Sequence, residues 1–239
     1  MNGVNWWKQE PLQFWESLLI SDSKIFTLDG GYNPQNQRQY LKKEDKNKII
    51  VHSKDKKSKG VHYYGGMSHL GLTDIVKVTG TVTAKKYINS ILPKLIFKPQ
   101  KRRKITGLAT EVMLFDDPSE FVFWTRPCEL SYDANDTQLW LSENAPDFIG
   151  SENTPAKLDD LWPIERVWAI MTQQVYQHPG PETIEELSSR VENAWKNFNV
   201  KTLKKLIHEI PFRIKAIIQN EGKRIEGPFG HCECEICLS

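Results

Sequence analysis

The apolar residues of this chain change period part-way along it, and that change restricts the folds open to it. As far as Trp124 they come in short β-prone runs; from Asp136 onward they recur at intervals of three and four. Ser17 to Ser21 and Lys24 to Leu28 read as two short strands on either side of Asp22. Val61 to Met67 and Thr73 to Val78 are two more such runs, separated by Gly71. Phe121-Val122-Phe123-Trp124 is another, entered through the turn Asp116-Asp117-Pro118. Among them, Thr83 to Leu95 has helical spacing at Tyr87, Ile88, Ile91, Leu92 and Leu95.

Beyond Trp124 the pattern is helical. Asp136 is placed to cap a helix bearing Leu139, Trp140 and Leu141. Pro163 suits a helix start, where its missing N–H costs nothing, and that helix should reach about Tyr176. Thr183 and Glu186 have the spacing of a capping box, and Leu187, Val191, Ala194, Trp195 and Phe198 form the stripe behind it. Leu203, Leu206, Ile207 and Ile210 form a second stripe; Pro211 interrupts it, and Ile214, Ile217 and Ile218 carry it on to Gly222, a C-cap residue. Strands first and helices last predict a sheet with helices packed beside it. Trp162, Trp168 and Trp195 are assigned to the core, since two of them lie on apolar stripes.

With 239 residues, 39% of them hydrophobic, and eight tryptophans, the chain has the material for a substantial core. Its net charge is only +2, but the charge is unevenly spread. Lys42 to Lys59 holds eight lysines against three acids, in what reads as an exposed loop with a strand candidate at Ile49 to His52. Lys98, Lys101, Arg102, Arg103 and Lys104 form a second basic cluster with no acid among them. Such clusters suit contact with phosphate backbones. Met1 to Phe14 lacks the pattern of a secretory signal, and no stretch is apolar for long enough to cross a bilayer. Three of the four cysteines, Cys232, Cys234 and Cys237, crowd the last eight residues, and Cys128 stands apart, which is no framework for disulfides. An intracellular setting is therefore expected. His231 and the three terminal cysteines invite a zinc reading, but a disordered tail over 226–239 is the expectation.

Several blocks, in order, resemble the catalytic domain of mariner-type transposases. Ser21-Asp22-Ser23-Lys24-Ile25-Phe26-Thr27 is similar to that family's S-D-E-x-x-F block, with Ser23 in place of the glutamate. Gly60-Val61-His62-Tyr63-Tyr64-Gly65-Gly66-Met67-Ser68 is similar to G-V-M-V-W-G-G-I-S. Gly80-Thr81-Val82-Thr83-Ala84-Lys85-Lys86-Tyr87-Ile88 resembles G-T-V-N-A-x-x-Y-I. Ile210-Pro211-Phe212-Arg213 resembles the M-P-x-R turn of the closing helices. The likeness covers roughly residues 14–225. It implies a DDE-type, ribonuclease-H-like α/β domain: a mixed five-stranded sheet flanked by helices, with a helical C-terminal part. It also implies three carboxylates, brought together by folding, that hold two Mg2+ or Mn2+ ions for cutting and rejoining DNA. Asp22 and Glu165 match the first and third of these, as metal ligands and catalytic residues.

The second position departs from the pattern. Counting back from the helix ending Thr137-Gln138-Leu139-Trp140-Leu141 places it at Pro127, with 37 residues between Pro127 and Glu165, a spacing that one branch of the family uses. Proline offers no side-chain oxygen. Glu129, two residues on, is the one substitute along the same face of a strand. Leu158-Asp159-Asp160-Leu161-Trp162-Pro163 replaces the family's S-P-D-L-N-P. The family's N-terminal pair of helix-turn-helix units has no counterpart ahead of Asp22 in this sequence. Two expectations follow. One is a transposase-derived core whose ancestral metal-dependent DNA cleavage and strand transfer is degenerate; the other is an inactive nucleic-acid-binding or protein-interaction module of the same descent. Either is expected in the nucleus, with weak, sequence-indifferent affinity for DNA through the Lys42 to Lys59 and Lys98 to Lys104 clusters.

Overall fold

A computed structural model describes residues 10–30, 59–97, 114–115, 120–125, 131–150, 153–154 and 161–221. A short helix, α1 (Leu12–Glu16), leads into β1 (Leu18–Thr27), the central strand of a five-stranded sheet. Its neighbours are β2 (Gly60–Met67) on one side and β4 (Val122–Thr125) on the other; β3 (Val76–Val78) and β5 (Asp147–Phe148) form the edges. β1, β2 and β3 run antiparallel to one another, while β4 and β5 run parallel to β1. The sheet is therefore mixed, as expected.

β1 is one strand, not two short ones around Asp22. Its backbone stays paired with β2 at every position from Ile20 opposite Met67 to Thr27 opposite Gly60, so the polar residues 21–24 do not break it. The alternation along β1 feeds two cores. Leu18, Ile20 and Phe26 face one, and Leu19 faces the other. β4 is buried along its whole length, the pattern of a central strand covered on both faces. Thr73 to Val78 gives only a three-residue strand. Thr73 is instead tied to Gly66 in both directions, Gly66 N–H donating to Thr73 Oγ1 at 2.9 Å and Thr73 N–H to Gly66 O at 2.9 Å.

Helices cover both faces. On the Leu19 side, α2 (Ala84–Lys86) runs into a π-helical turn at Tyr87–Ile91 and then into α3 (Leu92–Ile96). Thr83 Oγ1 accepts the Lys86 N–H and so caps the run. The wide turn gives way just before Pro93, whose ring and missing N–H disfavour an ordinary helical bond there. α4 (Asn135–Asn144) packs on the same side, its Leu141 in that core. Asp136 does not cap it: the helix begins one residue earlier, after Ala134, and Asp136 lies in the first turn. The start is tied down by Thr137 Oγ1, which donates to Ser131 O, and by Gln138 Nε2, which donates to Tyr132 O.

The other face carries α5 (Pro163–Val175), α6 (Ile184–Lys196), α7 (Val200–His208) and α8 (Ile210–Gln219). Ile164, Val167, Trp168, Met171 and Val175 are buried on α5, and Leu187, Val191 and Trp195 on α6 follow the predicted stripe. Pro163 opens α5, and Thr183 Oγ1 accepts the Glu186 N–H at 3.1 Å to cap α6. Pro211 lies in the first turn of α8, where it separates α7 from α8 without breaking either. Trp162, Trp168 and Trp195 are all buried in this core. Among the described residues no helix is long and apolar enough to cross a membrane.

Candidate functional site

Asp22 lies mid-way along β1, opposite Gly65 of β2, with 7% of its surface exposed. A carboxylate so placed needs donors. One comes from α5, where the Trp168 indole N–H donates to Asp22 Oδ2 at 3.0 Å. The Trp168 ring is itself held by Trp195 of α6, with ring centroids 4.9 Å apart and planes 25° from parallel. Trp195 in turn donates its indole N–H to Thr73 O at 2.8 Å. Gly65 permits this stack, because a Cβ there would sit 2.2 Å from the Trp195 ring. Trp168 and Trp195, two of the three tryptophans assigned to the core, are thus also the scaffold behind Asp22.

A second tie fixes the direction of α5 along β1. Tyr176, just past the end of α5, donates its hydroxyl to Thr27 O at 2.6 Å and accepts the Thr27 N–H at 3.1 Å. Burial pushes the Tyr176 phenol up to about 12, helped by the nearby Asp29 carboxylate and opposed by the bond to Thr27. Moving from Trp168 to Tyr176 advances about 12 Å along a helix, and moving from Asp22 to Thr27 about 16 Å along a strand. Two bonds in the same chain order hold helix and strand running the same way.

Glu165 follows from that geometry. It stands three residues before Trp168 on α5 and so shares a face with it, their Cβ atoms about 5–6 Å apart. One turn toward the start of α5 is also toward the start of β1, the level at which parallel β4 ends. There Thr125 lies opposite Ser21, and its Oγ1 donates to Ser21 O at 3.0 Å. Glu165 is half-buried and sits in the first turn of its helix, where a negative charge also meets the helix dipole favourably.

Pro127 and Glu129 lie outside the described residues, and so do Lys98, Lys101, Arg102, Arg103 and Lys104, most of the Lys42 to Lys59 stretch, and the terminal cysteines. Among the described residues no three His, Cys, Asp or Glu side chains are grouped to hold a metal ion. Asp22 and Glu165 are oxygen donors of the kind that hard divalent ions take, but two carboxylates do not complete a two-ion centre. The described donor set therefore does not by itself fit the implied metal pair.

Sequence reasoning missed two features here. The bond from Trp168 to Asp22 spans 146 positions in the chain, and no local spacing marks it. The other is an ion cluster beside the site. Glu209 Oε2 accepts from Arg166 at 2.7 Å and from Arg213 at 3.1 Å. The i, i+4 spacing of Glu209 and Arg213 is legible in the sequence, whereas the partnership with Arg166 is not.

No protein-family model matches the chain. In sequence it is 22% identical over 217 residues to the Tc3 transposase of Caenorhabditis elegans, an alignment covering 88% of this chain and 58% of that protein. In structure it is similar to Mos1 transposase in its pre-cleavage transpososome, with a TM-score of 0.70 at 14% identity, over 93% of this chain and 60% of that one. It is similar also to the isolated catalytic domain of Mos1 mariner transposase, with a TM-score of 0.62 at 14% identity, over 93% of this chain and 90% of that domain. Structures of that catalytic domain with raltegravir and Mn or Mg are alike to a similar degree. The chain thus spans less than two thirds of the full-length relatives and most of the catalytic domain. These likenesses bear out the resemblance to a mariner-type transposase catalytic domain. The fold is ribonuclease-H-like: a mixed five-stranded sheet flanked by helices, with helices at the C-terminus.

Proposed function

We propose that residues 14–225 form a transposase-derived, DDE-type core in which Asp22 and Glu165 are the first and third of three ancestral carboxylates, and in which the metal-dependent cutting and joining of DNA is degenerate. The observation that carries this is the double tie of α5 to β1. The bonds from Trp168 to Asp22 and from Tyr176 to Thr27 set Glu165 one helical turn from the indole that grips Asp22. A transposase relative in sequence and the Mos1 catalytic domain in fold support the descent. Pro127 at the second position, Ser23, and the altered Leu158 to Trp162 loop support the loss of chemistry. Mg2+ or Mn2+ would supply activation of a water or 3′-hydroxyl and stabilisation of the leaving oxygen. Two carboxylates of three would leave each ion under-coordinated for that chemistry. DNA is the proposed partner, held weakly and without sequence preference through the Lys98 to Lys104 cluster, and the nucleus is the proposed location.

The test is nicking of supercoiled plasmid in Mg2+ or Mn2+. The chain as written should leave the plasmid intact. Pro127→Asp should first raise Mn2+ affinity, and need not restore cleavage while Ser23 and the 158–162 loop remain altered. Metal-dependent nicking by the unmodified protein that disappears in Asp22→Asn would overturn the proposal. Glu129 would then be the candidate third ligand, and Glu129→Gln should abolish the same activity.

A further inference from the structure

α7 carries three lysines and no acid. Lys201, Lys204 and Lys205 lie three and four residues apart and so share a face, turned away from the buried Leu203, Leu206 and Ile207. Lys201 and Lys205 are exposed, and Lys204 is half-buried. On α6 and at the start of α8 an arginine follows a carboxylate by four residues and is bonded to it: Glu186 holds Arg190 at 2.7 Å, and Glu209 holds Arg213 at 3.1 Å. α7 lacks that arrangement. Four residues before its lysines stand Asn197, Val200 and Lys201, and no residue from Asn193 to His208 is acidic. Lys204 and Lys205 have no ion pair among the described residues. The carboxylate that α1 brings to this helix, Glu16, bonds the buried His208 at 2.8 Å instead. Like charges one turn apart, and a lysine in the first turn, both work against a helix. The row is therefore not explained by the stability of the helix that bears it.

We propose that the α7 row of Lys201, Lys204 and Lys205 is a docking surface for the phosphate backbone of duplex DNA. This rests on the DNA-binding reading proposed above. It adds a contact in the helical layer on the opposite face of the sheet from α3, the helix that precedes the Lys98 to Lys104 stretch in the chain. Lysines present point charges, not forks, which suits phosphates held for their charge and not bases read for their identity. The row also lacks what a protein partner would grip. The exposed large apolar residues among those described are Leu12, Ile25, Phe97, Leu139 and Phe212, and none of them lies on α7. Protein interfaces are anchored by large apolar and aromatic residues and are poor in lysine.

The test is fluorescence anisotropy of a labelled DNA duplex over a range of salt, with labelled polyglutamate as a second ligand and circular dichroism to establish that each variant is folded. Lys204→Gln combined with Lys205→Gln should weaken DNA binding about tenfold at low salt and flatten the dependence of log affinity on log salt by about two units, the signature of two lost phosphate contacts. Lys204→Arg combined with Lys205→Arg should keep the slope, because it keeps the charge. Lys85→Gln combined with Lys86→Gln removes the same charge from α2, on the other face of the sheet, and should change neither quantity. Unchanged affinity and slope in the α7 glutamine variant would overturn the inference while leaving DNA binding intact. Equal losses in the α2 variant would overturn it too, by making the effect one of net charge. An α7 variant that loses polyglutamate but keeps DNA would overturn it in favour of an acidic protein partner. Absence of any DNA binding by the native chain would overturn the DNA-binding reading, and this inference with it.

Discussion

Trp168 fills the core and supplies a donor to Asp22, and two substitutions separate these contributions. Trp168→Phe keeps a ring against Trp195 but leaves Asp22 short of the indole N–H, which for a buried acceptor costs about 1–3 kcal/mol. Trp168→Ala also opens a cavity, and should cost about 3–5 kcal/mol. Urea denaturation should rank them in that order; no loss in Trp168→Phe would mean that the indole bond contributes nothing. Gly65→Ala tests the same stack from the sheet side. Its methyl would fall 2.2 Å from the Trp195 ring, so the ring must move. A loss of about 1–3 kcal/mol is expected, as for other overpacked sites, with a shift in tryptophan emission. Asp22 and Glu165 could be named from short motifs because each carries its local context with it. The Trp168 bond could not, since hydrogen-bond partners far apart in the chain leave no periodic trace.

At the scale of elements, the legible ones were those long enough to show a period. α5 and α6 repeat their apolar residues over 13 positions each, and both were found with their starts. β5 spans two residues, too few for any alternation, and went unseen. β1 was split in two because its polar middle resembles a loop in one dimension, and only the pairing with β2 shows that it continues. The placement of α5 depends on its two ends. Arg190 of α6 donates to Val175 O and Gln177 O at the end of α5, and Tyr176 reaches across to Thr27. Tyr176→Phe removes both bonds to Thr27 and leaves the ring, so a loss of about 1–3 kcal/mol is expected for the orphaned Thr27 N–H; Thr27 O keeps the Gly30 N–H at 2.9 Å. Hydrogen exchange locates the effect. The Thr27 amide, whose acceptor is the Tyr176 hydroxyl, should exchange faster in the variant, while amides in the middle of β1 paired to β2 should not.

Over the whole molecule, a sheet with helices packed beside it was implied by strand runs preceding helical stripes, and the two cores, one on each face, follow from the alternation along β1 and β4. Two tyrosines tie the helical layer to the sheet and make its stability depend on alkaline pH. Tyr176 bonds Thr27 of β1, and Tyr63 of β2 donates to Glu192 of α6 at 3.1 Å. Burial pushes the Tyr63 phenol up to about 12; the Ser188 hydroxyl opposes this and the Glu192 carboxylate adds to it. Tyr176 is raised to about 12 as well, against an ordinary value of 10.0. A phenol that holds its proton more tightly in the folded state favours folding fully while both states stay protonated. Above pH 10 the unfolded chain releases its protons first, so the contribution shrinks as pH rises and is gone once it passes about 12. The thermal midpoint should therefore be steady approaching pH 10 from below and fall steeply between pH 10 and 12. In the double variant Tyr63→Phe, Tyr176→Phe, the midpoint should be lower at pH 9 and the fall above pH 10 shallower. If the double variant falls as steeply as the native chain, the two phenols do not couple the helical layer to the sheet.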